Sequence, residues 1–385
     1  MKRLFLLDKD ITFLNFGSFG ACPRVVFEEY QRLQLELERE PVRFITRTGM
    51  SLLEDSRKVL ADYVNCSPDD VVYMTNPSYA MNTVIRSLEL KPGDEILSTN
   101  LEYGAMDRTW NYYCNKAGAR YVRSEITLPI VDKETFLSDF WKGFTEKTKA
   151  IFISHITSAT GLILPVKEIV DEANKRGLLT IVDGAHVPGH IPIDLTELDA
   201  DIYTGACHKW MMAPKGASFL HVKKEQQHWV DPLVISWGYE SDFPSHSQFL
   251  DYHQTNGTRD FSAFLTVPKC IEFMKEYDWR KIAGEQRIAT VERANQFREE
   301  LQFTPVSPLT KEWLGQLFSI PVQPKNPLDL QQKIFSEFKI EIPLTKNEGH
   351  YFIRFSHQVF NEPEDFNNLL TALKSLRDRG ELMFE

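Results

Sequence analysis

The chain has 385 residues, 42% hydrophobic, 12% aromatic and 25% charged, which excludes a disordered or fibrous protein and leaves room for one large fold with an appendage or for two domains. Its 44 Lys+Arg against 54 Asp+Glu give a formal net charge of −10, which argues against a body-wide nucleic-acid surface but allows a local basic pocket for a small anion. The five cysteines, Cys22, Cys66, Cys114, Cys207 and Cys270, are odd in number, far apart and without a C-x-x-C, so they read as free thiols in a reducing compartment rather than as a disulfide or zinc framework.

At the start, Leu4 to Leu7 form an apolar patch that Asp8, Lys9 and Asp10 break, too short for a signal peptide. No stretch approaches the ~18 to 20 apolar residues of a spanning helix. The expectation is a soluble cytoplasmic protein with no membrane partner. Strands are predicted at 71–75, 95–100, 119–126, 150–157, 178–186, 200–205 and 217–222. Several are apolar almost throughout, as strands covered on both faces are. Helical segments fall between them, among them 78–90 and 166–177, the second closing on Lys-Arg and a Gly cap. This alternation predicts an α/β fold with a mostly parallel, doubly wound sheet. Near residue 262 the pattern changes. A long amphipathic helix over 279–302, strands at 317–322 and 351–356, and helices near 328–338 and 363–378 read as a smaller α+β unit. The predicted division is a large domain over 26–262 and a small domain made of 1–25 with 263–385.

The chemistry concentrates in residues 181–222. Asp183 ends an apolar strand, and Lys209 lies just past the next one. Ligands of open α/β sheets bind outside such strand ends. A carboxylate and a lysine placed together there suit pyridoxal phosphate (PLP): the amine condenses with the aldehyde, and the carboxylate keeps the pyridine nitrogen protonated. Either residue alone reads as a strand end or a surface lysine.

V-D-G-A-H (182–186) and C-H-K-W-M-M-A-P-K-G (207–216) together resemble the class V aminotransferases, PLP enzymes of fold type I. F-L-N-F-G-S-F-G (13–20), E-P-V-R-F (40–44), E-Y-G-A-M (102–106) and G-T-R-D (257–260) place the resemblance nearest the isopenicillin N epimerase-like members. The resemblance implies a fold-type I architecture with Lys209 and Asp183 catalytic. It implies phosphate contacts from Ser78 and Tyr79, at a helix N-terminus whose open N–H groups favour an anion, and from His208. It implies that Tyr103 stacks on the cofactor ring, with Ser158 and His186 near its phenolic oxygen. Arg354 matches the residue that forks onto a substrate carboxylate, with Arg43 and Arg259 as further anion contacts. Thr258 matches a residue that reaches the cofactor phosphate of a neighbouring subunit, which implies a homodimer with shared sites.

Two departures matter. Relatives carry Ser, Thr or Asn where this chain has Ala206, so that ligand is either missing or supplied elsewhere, with Thr204 and Cys207 as candidates. Cysteine desulfurases carry a nucleophilic Cys ahead of the carboxylate-binding Arg, and residues 339–354 contain none. No metal is expected: H-V-P-G-H (186–190) lacks the zincin Glu and is broken by Pro188 and Gly189. The expected function is PLP chemistry at the α-carbon of an amino acid or small peptide, giving epimerisation, transamination or β-elimination. A carbon–sulfur lyase acting on a cysteine-derived substrate is the alternative enzyme. A regulatory PLP-fold protein is the non-enzyme alternative, but it should have lost Lys209 or Asp183.

Overall fold

Strands that are apolar on both sides need cover on both sides, and the computed structural model, which describes residues 1–385, provides it. Seven strands form one sheet: β1 (Val71–Met74), β2 (Glu95–Thr99), β3 (Arg120–Ser124), β4 (Thr148–Ser154), β5 (Leu179–Asp183), β6 (Ile202–Ala206) and β7 (Ser218–Val222). Their order is β1-β7-β6-β5-β4-β2-β3. Strands β2 to β6 are parallel. Strand β7 runs antiparallel to both neighbours, β1 and β6, so the sheet is mixed with six strands sharing one direction. Alternate side chains enter two separate cores. Val71, Tyr73, Leu97, Ile151, Val182 and Phe219 join one. Val72, Met74, Ile96, Phe152, Ile181 and Leu220 join the other.

Two helices that the sequence pattern left unread, α1 (Arg24–Arg39) and α2 (Gly49–Val64), precede the sheet. The predicted helix at 78–90 is α3 (Pro77–Ser87), with Pro77 in its first turn and the Asn76 side chain capping it. A further helix, α4 (Gly104–Ala117), follows β2. The predicted long helix is α5 (Trp279–Leu301).

The C-terminal sheet is antiparallel, with β8 (Leu317–Pro324), β9 (Leu344–Asn347), β10 (His350–Ser356) and β11 (Leu382–Phe384) in the order β9-β10-β8-β11. Strands β9 and β11 were not predicted. Glu348 and Gly349 join β9 to β10 with φ of 45° and 91°, the signature of a type I′ turn.

The N-terminus ties this unit to the large sheet. Thr12–Phe13 pairs in parallel with Ile340–Glu341, and the Gly17 N–H donates to Ser356 Oγ at 2.8 Å. The first core runs without a break from Phe5 to Leu382. Three residues past Gly17, the chain passes directly behind Lys209. Gly20 has φ 66° and ψ 179°, a region that only glycine occupies readily. A Cβ there would stand 2.2 Å from the His208 carbonyl oxygen and 3.0 Å from Lys209 Cα. Gly20→Ala is therefore expected to destabilise the protein by at least ~1 to 3 kcal/mol from backbone strain alone, read as a lower urea midpoint at unchanged slope.

Candidate active site

The predicted site residues converge on one edge of the large sheet. Ser78 and Tyr79 follow β1, Tyr103 follows β2, Ser158 follows β4, Asp183 ends β5, and His208 and Lys209 follow β6. The register of β5 and β6 sets Asp183 opposite Thr204.

Asp183 is buried, and its Oδ1 accepts the Ala185 N–H at 2.9 Å. Burial pushes its carboxyl above the usual range, against the pull of that hydrogen bond and of the Lys209 charge. The Lys209 amine is drawn down to about 8, chiefly by burial; Asp183 opposes this and Arg354 adds to it. Its Nζ stands 3.0 Å from His186 Nε2. Burial, then the nearby Lys209 charge, holds His186 well below the usual histidine range, so it is neutral.

Arg354 projects from β10 and is 3% exposed. Its guanidinium donates to the Ser158 carbonyl and to Ser18 Oγ. Its Nε is buried with no partner. An open donor in such surroundings costs about 1–3 kcal/mol, which an incoming carboxylate can recover. Burial brings the Arg354 pKa down to about 10, still charged at neutral pH.

The stretch predicted to hold a phosphate offers fewer open donors than the sequence suggests. Asn76 Oδ1 accepts the Tyr79 N–H at 2.8 Å, Ala80 donates to the Asn76 carbonyl, and Pro77 has no N–H. Ser78 is therefore the open donor of the first turn. His208 Nδ1 lies 2.9 Å from the Ala217 carbonyl, which leaves Nε2 as its free nitrogen. Thr204 donates into the sheet, to the Phe219 carbonyl at 2.7 Å, and Cys207 is fully buried. Neither therefore substitutes directly at Ala206.

The remaining candidates make no hydrogen bond to the Lys209 group. Arg259 stacks over Phe264 at 5.2 Å and feels the Tyr79 phenol. Thr258 is exposed. Arg43 is exposed and pairs with Glu40 at 3.4 Å.

Some residues of the site escaped the sequence reading. Ser18 is one. Glu102 is another: its buried carboxyl accepts from Thr99 Oγ1 (2.7 Å) and from the Ser154 N–H (2.9 Å) and Oγ (2.6 Å). It pins the Tyr103 loop to the end of β4. Burial pushes it up to about 8. The sequence signals were the polar residues within F-G-S-F-G and E-Y-G-A-M.

A half-buried lysine amine, a buried carboxylate and an open anion-binding helix end fit PLP, with an arginine beside them for a carboxylate. The aminotransferase class-V family model matches residues 21–368, and the chain belongs to that family of enzymes. It is 30% identical to the isopenicillin N epimerase of Streptomyces clavuligerus over 96% of each chain. It is 26% identical to a probable chloroplastic L-cysteine desulfhydrase of Arabidopsis thaliana, over 96% of this chain and 83% of that one. The fold matches the apo cysteine desulfurase of Thermococcus onnurineus NA1 with a TM-score of 0.83 at 20% identity, over 98% and 97% of the two chains. No helix is long and apolar enough to cross a membrane.

Asp183 is the neighbour that raises the Lys209 pKa. Asp183→Asn should therefore lower it below about 8. Acetylation of Lys209 against pH, followed by peptide mapping, should show the midpoint move down, with faster labelling at neutral pH.

Proposed function

We propose that this chain binds PLP on Lys209 and acts at the α-carbon of an amino acid or small peptide, with epimerase-like chemistry. The observation that carries this reading is the Lys209 amine, held at about 8 by burial on the strand-end edge that also presents Asp183 and Arg354. PLP, when bound, supplies the electron-accepting ring that acidifies the α-proton of an attached amino acid. Asp183 holds the proton on the ring nitrogen, and Ser78 and His208 hold the phosphate. Tyr103, 44% exposed at the start of α4, would cover the ring; Ser158 and His186 would serve its phenolic oxygen. Arg354 takes the substrate carboxylate, with Arg259 and Arg43 as further anion contacts. Lys209 Nζ, about a tenth in the free-base form at pH 7 for a pKa near 8, removes the α-proton.

The reading includes a cytoplasmic homodimer in which Thr258 completes the partner's site. Trp237 is 81% exposed and Phe243 92%, apolar surface that a second subunit would cover. The large domain is assigned to 26–262 and the small one to 1–25 with 263–385.

A second reading, carbon–sulfur lyase chemistry, is favoured by the desulfhydrase relatives. Burial pushes Cys22 and Cys66 up to about 12 and Cys114 up to about 11. It pushes Cys207 and Cys270 higher still. None is a ready thiolate, the form that persulfide chemistry needs. Sulfur would leave by β-elimination, giving pyruvate rather than alanine.

With PLP bound, Lys209→Ala should abolish α-deuterium exchange into amino acids in D2O. Borohydride followed by peptide mapping should label Lys209 in the parent protein, and a label on another lysine overturns the assignment. Asp183→Asn should retain PLP and lose at least ~100-fold in exchange rate, about 2.7 kcal/mol of barrier. Incubation with L-cysteine separates the two readings: pyruvate and sulfide mark the lyase, and racemisation without them marks the epimerase. Alanine with stoichiometric protein persulfide would overturn both.

A further inference from the structure

Trp210 follows the reactive lysine and is fully buried. His190 stacks on its ring at 3.9 Å between centroids, and Phe16 meets it edge-on at 5.1 Å. The indole Nε1 lies 3.3 Å from His186 Nδ1. An indole nitrogen only donates, so His186 Nδ1 accepts, and a neutral imidazole then carries its single proton on Nε2. That nitrogen faces Lys209 Nζ at 3.0 Å. An ammonium has donors and no acceptor, so it would set donor against donor. The free amine has a lone pair and receives the Nε2–H. The opposite tautomer, with its proton on Nδ1, would accept from the ammonium and hold the lysine charged.

The backbone of His186 is fixed from the other side. His190 Nδ1 lies 2.9 Å from the His186 carbonyl and must donate to it. His190 Nε2 accepts the Gln316 N–H, and Gln316 Nε2 donates to the His357 carbonyl at 2.9 Å.

We propose that Trp210 is a positioning residue that acts through His186: by engaging Nδ1 it fixes the Nε2–H tautomer and so holds Lys209 as a free amine ready to attack an aldehyde. This rests on Lys209 being the reactive amine. The charged and titratable groups around the pair are Asp183, which favours the ammonium, and Arg354, which opposes it; Arg354, His190 and His208 all disfavour an imidazolium at His186. Both downward shifts agree with a neutral pair, but they follow from burial and charge and do not distinguish the tautomers. The indole does.

The test compares the parent protein, Trp210→Phe and His186→Gln. The 15N spectrum of histidine-labelled protein reads the His186 tautomer. The pH dependence of PLP capture on Lys209, trapped with borohydride and mapped, reads the amine. Phenylalanine keeps a ring between His190 and Phe16 but removes the donor. The parent should show Nε2–H at His186. Trp210→Phe should populate Nδ1–H and raise the capture midpoint by about one pH unit, a roughly tenfold slower reaction near neutrality. In His186→Gln the amide oxygen accepts the indole N–H and the amide nitrogen donates to Lys209, so the pH midpoint should stay with the parent even where the rate of capture changes through the lost contact with the cofactor.

An Nδ1–H tautomer in the parent, or an unmoved midpoint in Trp210→Phe, overturns the proposal. If Trp210→Phe does not fold, the parent tautomer and the glutamine variant decide: a midpoint raised by a unit in His186→Gln overturns it. If borohydride labels a lysine other than Lys209 in the parent, the reactive-amine reading falls, and with it the role of the tautomer in capture. The 15N spectrum still decides the Trp210–His186 bond alone.

Discussion

A lysine amine withdrawn from water is the placement around which the strand-end edge is built. Desolvation disfavours the ammonium, and the group nearest Lys209 Nζ is a neutral imidazole rather than a carboxylate. Asp183 is near enough to matter but not enough to reverse the shift. The fold achieves this by register: β5 and β6 are adjacent and parallel, so Asp183 and the Lys209 turn leave the sheet side by side. The N-terminal segment then closes the turn from behind, where Gly20 lets one backbone lie against another.

The C-terminal unit reaches the same edge without carrying any of the strand-end loops. Its strand β10 sends Arg354 to Ser158, in the turn that follows β4, and to Ser18 on the N-terminal segment. Three separate parts of the chain therefore meet at one guanidinium. Because one core runs through both units, Arg354 is held by packing as well as by its own hydrogen bonds. A planar donor group so fixed can select a carboxylate by direction as well as charge.

Much of this was legible in the sequence, for physical reasons. Six of the seven central strands announce themselves because they are buried on two faces, the edge strand β3 being largely open, and Asp183 and Lys209 stand out because they are ionisable groups at the ends of apolar runs. Strand β9 did not, because Leu-Thr-Lys-Asn has little apolar pattern and its turn uses Glu-Gly where Asn-Gly is the usual signal. Helix α1 escaped because only Val26, Leu33 and Leu37 of its sixteen residues are buried. Ser18 lies 336 positions from its partner Arg354, so no local pattern reveals the pair. The Tyr79 N–H was assigned to a ligand, but the Asn76 cap competes for the same donor and takes it.

The turn between β9 and β10 bears on how this scaffold diversifies. It is two residues long, and Glu348 at its tip pairs with Arg123 at 2.6 Å. The strand that follows it carries Arg354 into the site. Lengthening a surface turn is thermodynamically mild, about 0.6 kcal/mol for each doubling of a flexible loop. A longer, thiol-bearing connection at this point would leave the sheets, the amine and the arginine in place while adding a nucleophile. The step from a connection without a thiol to one with it is thus small in folding energy.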